Sequence, residues 1–215
     1  MRIVVTAGPT REHLDPVRFL SNPSTGKMGF AIAAEAARRG HDVTLIAGPV
    51  ALKTPKGVKR VDVVSAREML AAAEEGCSSP SRPTAFISTA AVADWRPAKC
   101  AAKKLKKGEM SGVLKLVRNP DILKTVDSCR KRSKAVGLRL VGFAAETDHV
   151  LAEAARKCRE KGLSFIVAND VTQKGCGFGT DTNRVTFVFP DGTRKRFPLM
   201  TKRMVAKHII KEIEK

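Results

Sequence analysis

The side chains best suited to chemistry are cations and small residues gathered in four segments. Ser24-Thr25-Gly26-Lys27 stands just before an alanine-rich periodic run, Gly29–Arg39 (GFAIAAEAARR). Backbone N–H groups, hydroxyls and a lysine at a helix N-terminus suit an anion, although a capped helix with a solvated lysine is the plainer reading. Ser88-Thr89-Ala90-Ala91-Val92-Ala93-Asp94-Trp95 closes an apolar run with small residues that permit close ligand approach, and Asp94 is its lone acid. Lys99, Lys103, Lys104, Lys106 and Lys107 place five like charges in nine residues; such a run is usually a solvated face, and its repulsion would keep an unliganded loop mobile, able to close on a triphosphate. Gly142-Phe143-Ala144-Ala145-Glu146-Thr147 is a further small-residue segment, and Lys157 and Lys161 behind it lie four apart on one helical face. A shared anion would offset their repulsion, although two separately solvated lysines are the commoner arrangement.

Two familiar nucleotide motifs are absent. A dinucleotide fingerprint needs G-x-G-x-x-G at a strand-to-helix turn, yet Pro9 follows Gly8 and the helix starts about twenty residues later. A phosphate-binding P-loop needs glycine where Ser21 stands and Ser or Thr where Met28 stands. No Ser-His-Asp or Cys-His arrangement is apparent, and the five scattered cysteines contain no C-x-x-C pair, so reduced thiols are expected.

The elements that must position these segments follow from periodicity. Arg2–Thr6 (RIVVT) is apolar and β-branched without alternation, the pattern of a strand buried on both faces. The helix Gly29–Arg39 ends at Gly40, and the strand Val43–Ala47 completes a βαβ unit with a parallel sheet. Further along come a capping box at Ser65–Glu68 opening a helix to about Glu75, a loop Ser78–Pro83, strands Ala85–Thr89, Leu140–Ala144 and Phe165–Ala168, and helices starting at Asn119-Pro120-Asp121 (proline in the first position) and spanning Asp148–Lys161. Asp191-Gly192 turns a hairpin, and Thr201–Lys215 is a terminal amphipathic helix. The expected fold is a three-layer, mainly parallel Rossmann-like α/β sheet with a C-terminal hairpin and helix. In such sheets ligands bind beyond the carboxyl ends of the strands, where all four segments fall.

The chain has 215 residues, 43% hydrophobic and 28% charged, so it can bury a core as one α/β domain. No stretch is apolar enough to span a bilayer, and a cytoplasmic protein is expected. A net charge of +19 raises nucleic acid as a partner, but the absence of tyrosine and the 5% aromatic content leave few stacking platforms. A nucleic-acid module or a Rossmann oxidoreductase therefore ranks behind an enzyme that handles phosphorylated substrates.

As an ordered set, Asp15–Gly29 (DPVRFLSNPSTGKMG), Ala90–Pro97 (AAVADWRP), Lys104–Lys107, Asn119–Leu123, Val141–Thr147 and Ala168-Asn169-Asp170 closely resemble the phosphopantothenoylcysteine synthetase family, from Arg2 to the terminal helix. In many bacteria that family forms the C-terminal half of a bifunctional coenzyme A biosynthesis protein. The resemblance implies a single synthetase domain over 1–215 without a decarboxylase domain. It also implies ligation of 4′-phosphopantothenate to L-cysteine with CTP (ATP as the alternative) and Mg²⁺ or Mn²⁺, through an acyl-cytidylate that releases pyrophosphate and then CMP. Asn22 matches the asparagine that handles the acyl intermediate, and Arg18 and Ala91 match substrate-side positions. Ser88, Thr89, Ala90, Asp94, Lys104, Pro120, Asp121, Ile122, Leu123, Phe143, Lys157 and Lys161 match nucleotide contacts. The metal ligands are not specified. A homodimer, and association with a separate decarboxylase, are further implications. Trp95 in place of the commoner tyrosine, and Pro9 in place of a second glycine, are mild departures.

Overall fold

The computed structural model describes residues 1–77, 84–109, 112–132 and 137–215, and the loop expected at 78–83 lies outside them. In chain order the elements are β1 (Arg2–Ala7), β2 (Arg11–His13), β3 (Phe19–Ser21), α1 (Lys27–Arg38), β4 (Asp42–Ala47), β5 (Val58–Asp62), α2 (Ala66–Cys77), β6 (Thr84–Ser88), β7 (Trp95–Pro97), β8 (Leu116–Arg118), α3 (Ile122–Arg132), β9 (Arg139–Glu146), α4 (Val150–Glu160), β10 (Phe165–Asp170), β11 (Thr182–Asn183), β12 (Val185–Val188), β13 (Arg194–Arg196), β14 (Met200–Thr201) and α5 (Lys202–Ile213).

Eight strands form one sheet in the order β13-β12-β10-β9-β6-β1-β4-β5. The run from β5 to β10 is parallel, and β12 and β13 add the antiparallel hairpin turned at Gly192. The unbroken apolar character of β1 follows from its two covered faces. Ile3, Val5 and Ala7 pack with Phe30, Ile32 and Ala33 of α1 and with Val205 and Ile209 of α5. Val4, one residue out of phase, packs on the other side with Met69 and Ala73 of α2 and Ile122 and Val126 of α3. Full burial of each such aliphatic side chain contributes about 1.5–3 kcal/mol. Phe165, Phe187, Phe189 and Phe197 form an aromatic ladder, with centroids 4.7–5.7 Å apart, that continues to His208 of α5. Much of the scarce aromatic content is therefore interior. No helix among the described residues is long and apolar enough to cross a membrane.

Some local expectations change. The long segment after β1 is not a plain loop: β2 and β3 pair antiparallel within it, and β7 pairs with β8 alongside. The helix α1 begins at Lys27, two residues before the expected Gly29, because Gly26 (φ 77°) turns the chain into it. Proline is not the first residue of α3. Asp121 caps that helix, its Oδ1 accepting from Lys124 N–H at 3.1 Å, so Pro120 lies outside it. The helix α4 starts at Val150 rather than Asp148. The capping box at α2 forms, with Ser65 Oγ accepting from Glu68 N–H at 3.2 Å and the Glu68 carboxylate accepting from Val64 N–H at 2.9 Å.

Candidate active site

The strand order reverses at β1, which has β4 on one side and β6 on the other. Open α/β sheets hold their ligands outside such a reversal. Here the two chains leaving β1 and β6 stay joined beyond the sheet: Ala91 N–H donates to Gly8 O at 2.9 Å, and Ala93 N–H donates to the fully buried Thr10 hydroxyl at 3.0 Å. Asn22 closes the same corner, its Nδ2 donating to Ala91 O at 3.0 Å. The structure thus brings together two of the three residues expected on the substrate side, and one Asn22 N–H and its carbonyl oxygen have no partner among the described residues. The third, Arg18, sits at the β2–β3 turn, bonded to Asp15 and to Leu105 O at 2.9 Å.

Beside that corner lies a cavity lined by Ser88, Ala90, Asp94, Asn119, the turn Pro120–Leu123, Phe143 and Lys161. Most of the residues matched to nucleotide contacts meet here, from four separate parts of the chain. The α3 cap explains the turn: Asp121 holds Lys124 N–H with Oδ1 and Lys161 Nζ with Oδ2 at 2.9 Å. Asn119 Nδ2 ties the turn to Ala93 O at 2.8 Å. Asp94 is exposed, with its backbone O accepting from Asn119 N–H at 2.8 Å. Lys157 is engaged by Glu146, so the two α4 lysines are offset by separate carboxylates rather than by a shared anion. Lys104 lies on the exposed segment between β7 and β8 and does not line the cavity. Thr89 turns away from it, its hydroxyl donating to Thr6 O at 2.5 Å.

Residues 1–215 match the DNA/pantothenate metabolism flavoprotein C-terminal domain, DFP. The chain belongs to the DFP family. A curated relative, the coenzyme A biosynthesis bifunctional protein CoaBC of Escherichia coli strain K12, is 48% identical over 216 residues, covering 99% of this chain and 51% of its own length. The protein of the same name from Bacillus subtilis strain 168 is 45% identical over 212 residues, 98% of this chain and 50% of its own. The chain spans about half the length of the curated relatives it matches. The crystal structure of the C-terminal domain of CoaBC superposes with a TM-score of 0.81 at 42% identity, over 99% of this chain and 93% of that one.

This DFP family member has a second cavity, on the other side of Phe143, that no sequence motif flagged as a unit. The N-terminus of α1, Thr89, Ala144, Asn169, Asn183 and Lys202 line it. A Cβ on Gly29 would stand 2.5 Å from Ala7 Cβ and Thr89 Oγ1, so only glycine lets α1 approach the sheet edge this closely. Lys27 is not free for a triphosphate: its Nζ pairs with Asp181 at 2.8 Å and Gly179 O at 2.9 Å. Lys202 is not surface charge either. It is buried and donates to the carbonyls of Gly177, Phe178 and Thr180, and burial pushes its amine below the usual lysine range. Asn169 and Asn183 are buried, and neither Oδ1 has a donor among the described residues. Such oxygens favour a ligand that brings N–H groups. The sequence signal for Asn183 and Lys202 was slight, because an isolated polar residue shows its burial only once the sheet is assembled.

Among the described residues no three His, Cys, Asp or Glu side chains gather as a metal cage. Asp94, exposed at the cavity, is the lining carboxylate with no lysine partner among the described residues. That donor set fits Mg²⁺, which typically binds through one or two carboxylates together with phosphate oxygens and water.

Proposed function

We propose that this chain ligates 4′-phosphopantothenate to L-cysteine at the expense of a nucleoside triphosphate, CTP by preference. The observation that supports this reading is the convergence of Ser88, Ala90, Asp94, Pro120–Leu123, Phe143 and Lys161 on one cavity, adjacent to the Asn22–Ala91 corner. A carboxylate is a poor electrophile because oxide is a poor leaving group. In the first step the pantothenate carboxylate oxygen attacks the α-phosphorus, and the bond to pyrophosphate breaks. In the second the cysteine amine attacks the acyl carbon, CMP leaves, and the amine proton is lost to give the amide. Neither step needs a protein nucleophile. The chain's task is to hold the reacting groups in line and to balance negative charge.

Asn22 is suited to hold the acyl carbonyl through its remaining N–H, with Ala91 O fixing the side chain. Lys161 stands at the cavity wall, and Lys104 and its neighbours supply exposed positive charge from the β7–β8 connection. A divalent cation held by Asp94 and the phosphates would supply further charge neutralisation when bound. Two copies are proposed to associate through the β2–β3 and β7–β8 hairpins, where Phe19, Trp95 and Leu116 are exposed, as are Val17, Val113 and Leu114 in the adjoining segments.

A panel of nucleoside triphosphates, each assayed for pyrophosphate release with phosphopantothenate and cysteine present, tests the reading. CTP is expected to give the fastest release, and omission of cysteine should leave a bound acyl-cytidylate detectable by mass spectrometry. Release with none of the triphosphates would sink it.

A further inference from the structure

One buried carboxylate ties the basic segment to the β2–β3 turn. Asp15 is 0% exposed. Its oxygens accept from Val17 N–H at 2.8 Å, Arg18 N–H at 2.9 Å, Arg18 Nε at 3.0 Å and Leu105 N–H at 3.2 Å, and Arg18 Nη2 completes the ion pair. The same Nη2 reaches Leu105 O at 2.9 Å, so both backbone polar groups of Leu105 are held. A few residues earlier, Ala101 N–H donates to Leu14 O at 2.8 Å. Residues 102–104 therefore form a short bight fastened at both ends, and Lys104 and Lys106 flank the fastened residue.

A run of five lysines in nine residues does not choose a path by itself, because its charges repel and little of it is buried. The path here is imposed from outside, by a carboxylate that the Arg18 guanidinium keeps ionised, holding its carboxyl well below the usual carboxylate range. We propose that Asp15 is a positioning residue which, through Leu105 and Arg18, sets where Lys104 and Lys106 stand for the triphosphate. The assignment rests on the ligase reading for its kinetic consequence and on geometry alone for its structural one.

Two variants of the full chain test it. Asp15→Asn keeps an oxygen for the turn but removes the charge that holds the guanidinium, and Leu105→Pro removes the N–H donated to Asp15 while leaving Asp15 and Arg18 untouched. Both are expected to speed tryptic cleavage after Lys106 and Lys107 about tenfold, as expected when a fastened segment opens locally. Thermal midpoints should stay close to that of the parent. In the ligase assay KM for CTP should rise about tenfold while kcat and KM for cysteine change little, a split that a general loss of folding would not give. Faster cleavage in the variants of a chain whose parent shows no ligase turnover would leave the clamp standing and refute the ligase reading instead. Unchanged cleavage in both variants, or faster cleavage with an unchanged KM for CTP, would overturn the positioning role. If Asp15→Asn fails to fold, Leu105→Pro decides alone.

Discussion

The eight-stranded sheet and the pair of short hairpins draw on the same residue types and meet opposite fates. In the sheet Ile3, Val4, Val5, Leu45, Phe86 and Leu140 are all 0% exposed, because a helix covers each face. In the hairpins Phe19 is 39%, Trp95 45% and Leu116 39% exposed, and nothing among the described residues covers that side. Side chains of Arg11 and Arg118 lie over the Phe19 and Trp95 rings at 4.6 and 5.3 Å, which shields them only in part. Stability is concentrated in the sheet. The hairpins carry Arg18, lead into Asn22 and hold the basic segment, so the candidate substrate residues sit on the part with little apolar burial of its own. Regions that must adjust to ligands are drawn from that less stable end.

That contrast predicts separable losses. Phe86→Ala should cost about 3–5 kcal/mol of stability, read as a fall in the urea midpoint, because the cavity left between the sheet and its covering helices cannot fully collapse. The folded fraction should still turn over. Asn22→Asp should do the reverse. A carboxylate would face Ala91 O, two acceptors with no hydrogen between them, and the remaining N–H would be gone. Turnover is expected to fall about a hundredfold or more, the loss seen when a preorganised oxyanion donor is removed, while the urea midpoint falls much less than in Phe86→Ala, on the scale of one lost hydrogen bond. Equal losses of stability in both variants would erase the distinction between the two regions.

A subtler break concerns what covers the hairpins. Leu116→Glu places a charge on β8, within the exposed apolar strip of the hairpins. On the dimer reading, sedimentation velocity should show a shift toward monomer at concentrations where the parent is dimeric. The unfolding free energy of the isolated chain should move by no more than about 0.5 kcal/mol, the usual scale for a surface change. A parent chain that sediments as a monomer throughout would instead leave the strip as ordinary surface.

The same contrast explains what the sequence made legible. The sheet strands announced themselves because burial on both faces leaves an unbroken apolar run, as in RIVVT, and α1 and α4 announced themselves by period and closing glycine. The strands β2, β3, β7 and β8 have three residues each, too few for alternation to register, and β5 (VKRVD) has only two apolar residues. The cavity beside Phe143 was legible through its motif residues. Asn183 and Lys202 were not, since a lysine before Arg203 reads as surface charge until three carbonyls are found around its amine. The basic excess was likewise only partly readable. Arg130 and Lys131 share Asp127, and Lys195 pairs with Glu212, pairings that depend on helix facing and on the contact between β13 and α5.

The smallest expected effect compares a buried carboxylate of the sheet layer with its counterpart in the hairpin. Glu35 on α1 is 4% exposed and accepts from Arg38 at 2.7 and 2.8 Å and from Arg39 at 2.9 Å. Arg38, then burial opposing it, then Arg39 set its carboxyl, which falls from 4.5 to about 2. A depressed carboxyl contributes its stability in full above its unfolded value, and that contribution disappears as the pH drops through the folded value. The parent should therefore lose stability between about pH 4.5 and pH 2. Glu35→Gln should be less stable at pH 7 and show a shallower acid limb, both measurable by thermal unfolding across that range. The difference should be modest, because Arg38 is 57% exposed and water screens its charge. Asp15 lies outside the sheet layer, so its neutralisation in Asp15→Asn, compared with Glu35→Gln at pH 7, should register as faster tryptic cleavage of the basic segment before it registers in global unfolding. If both carboxyls moved the global midpoint alike, the hairpins would belong to the same cooperative unit as the sheet, and the division of labour between them would be wrong.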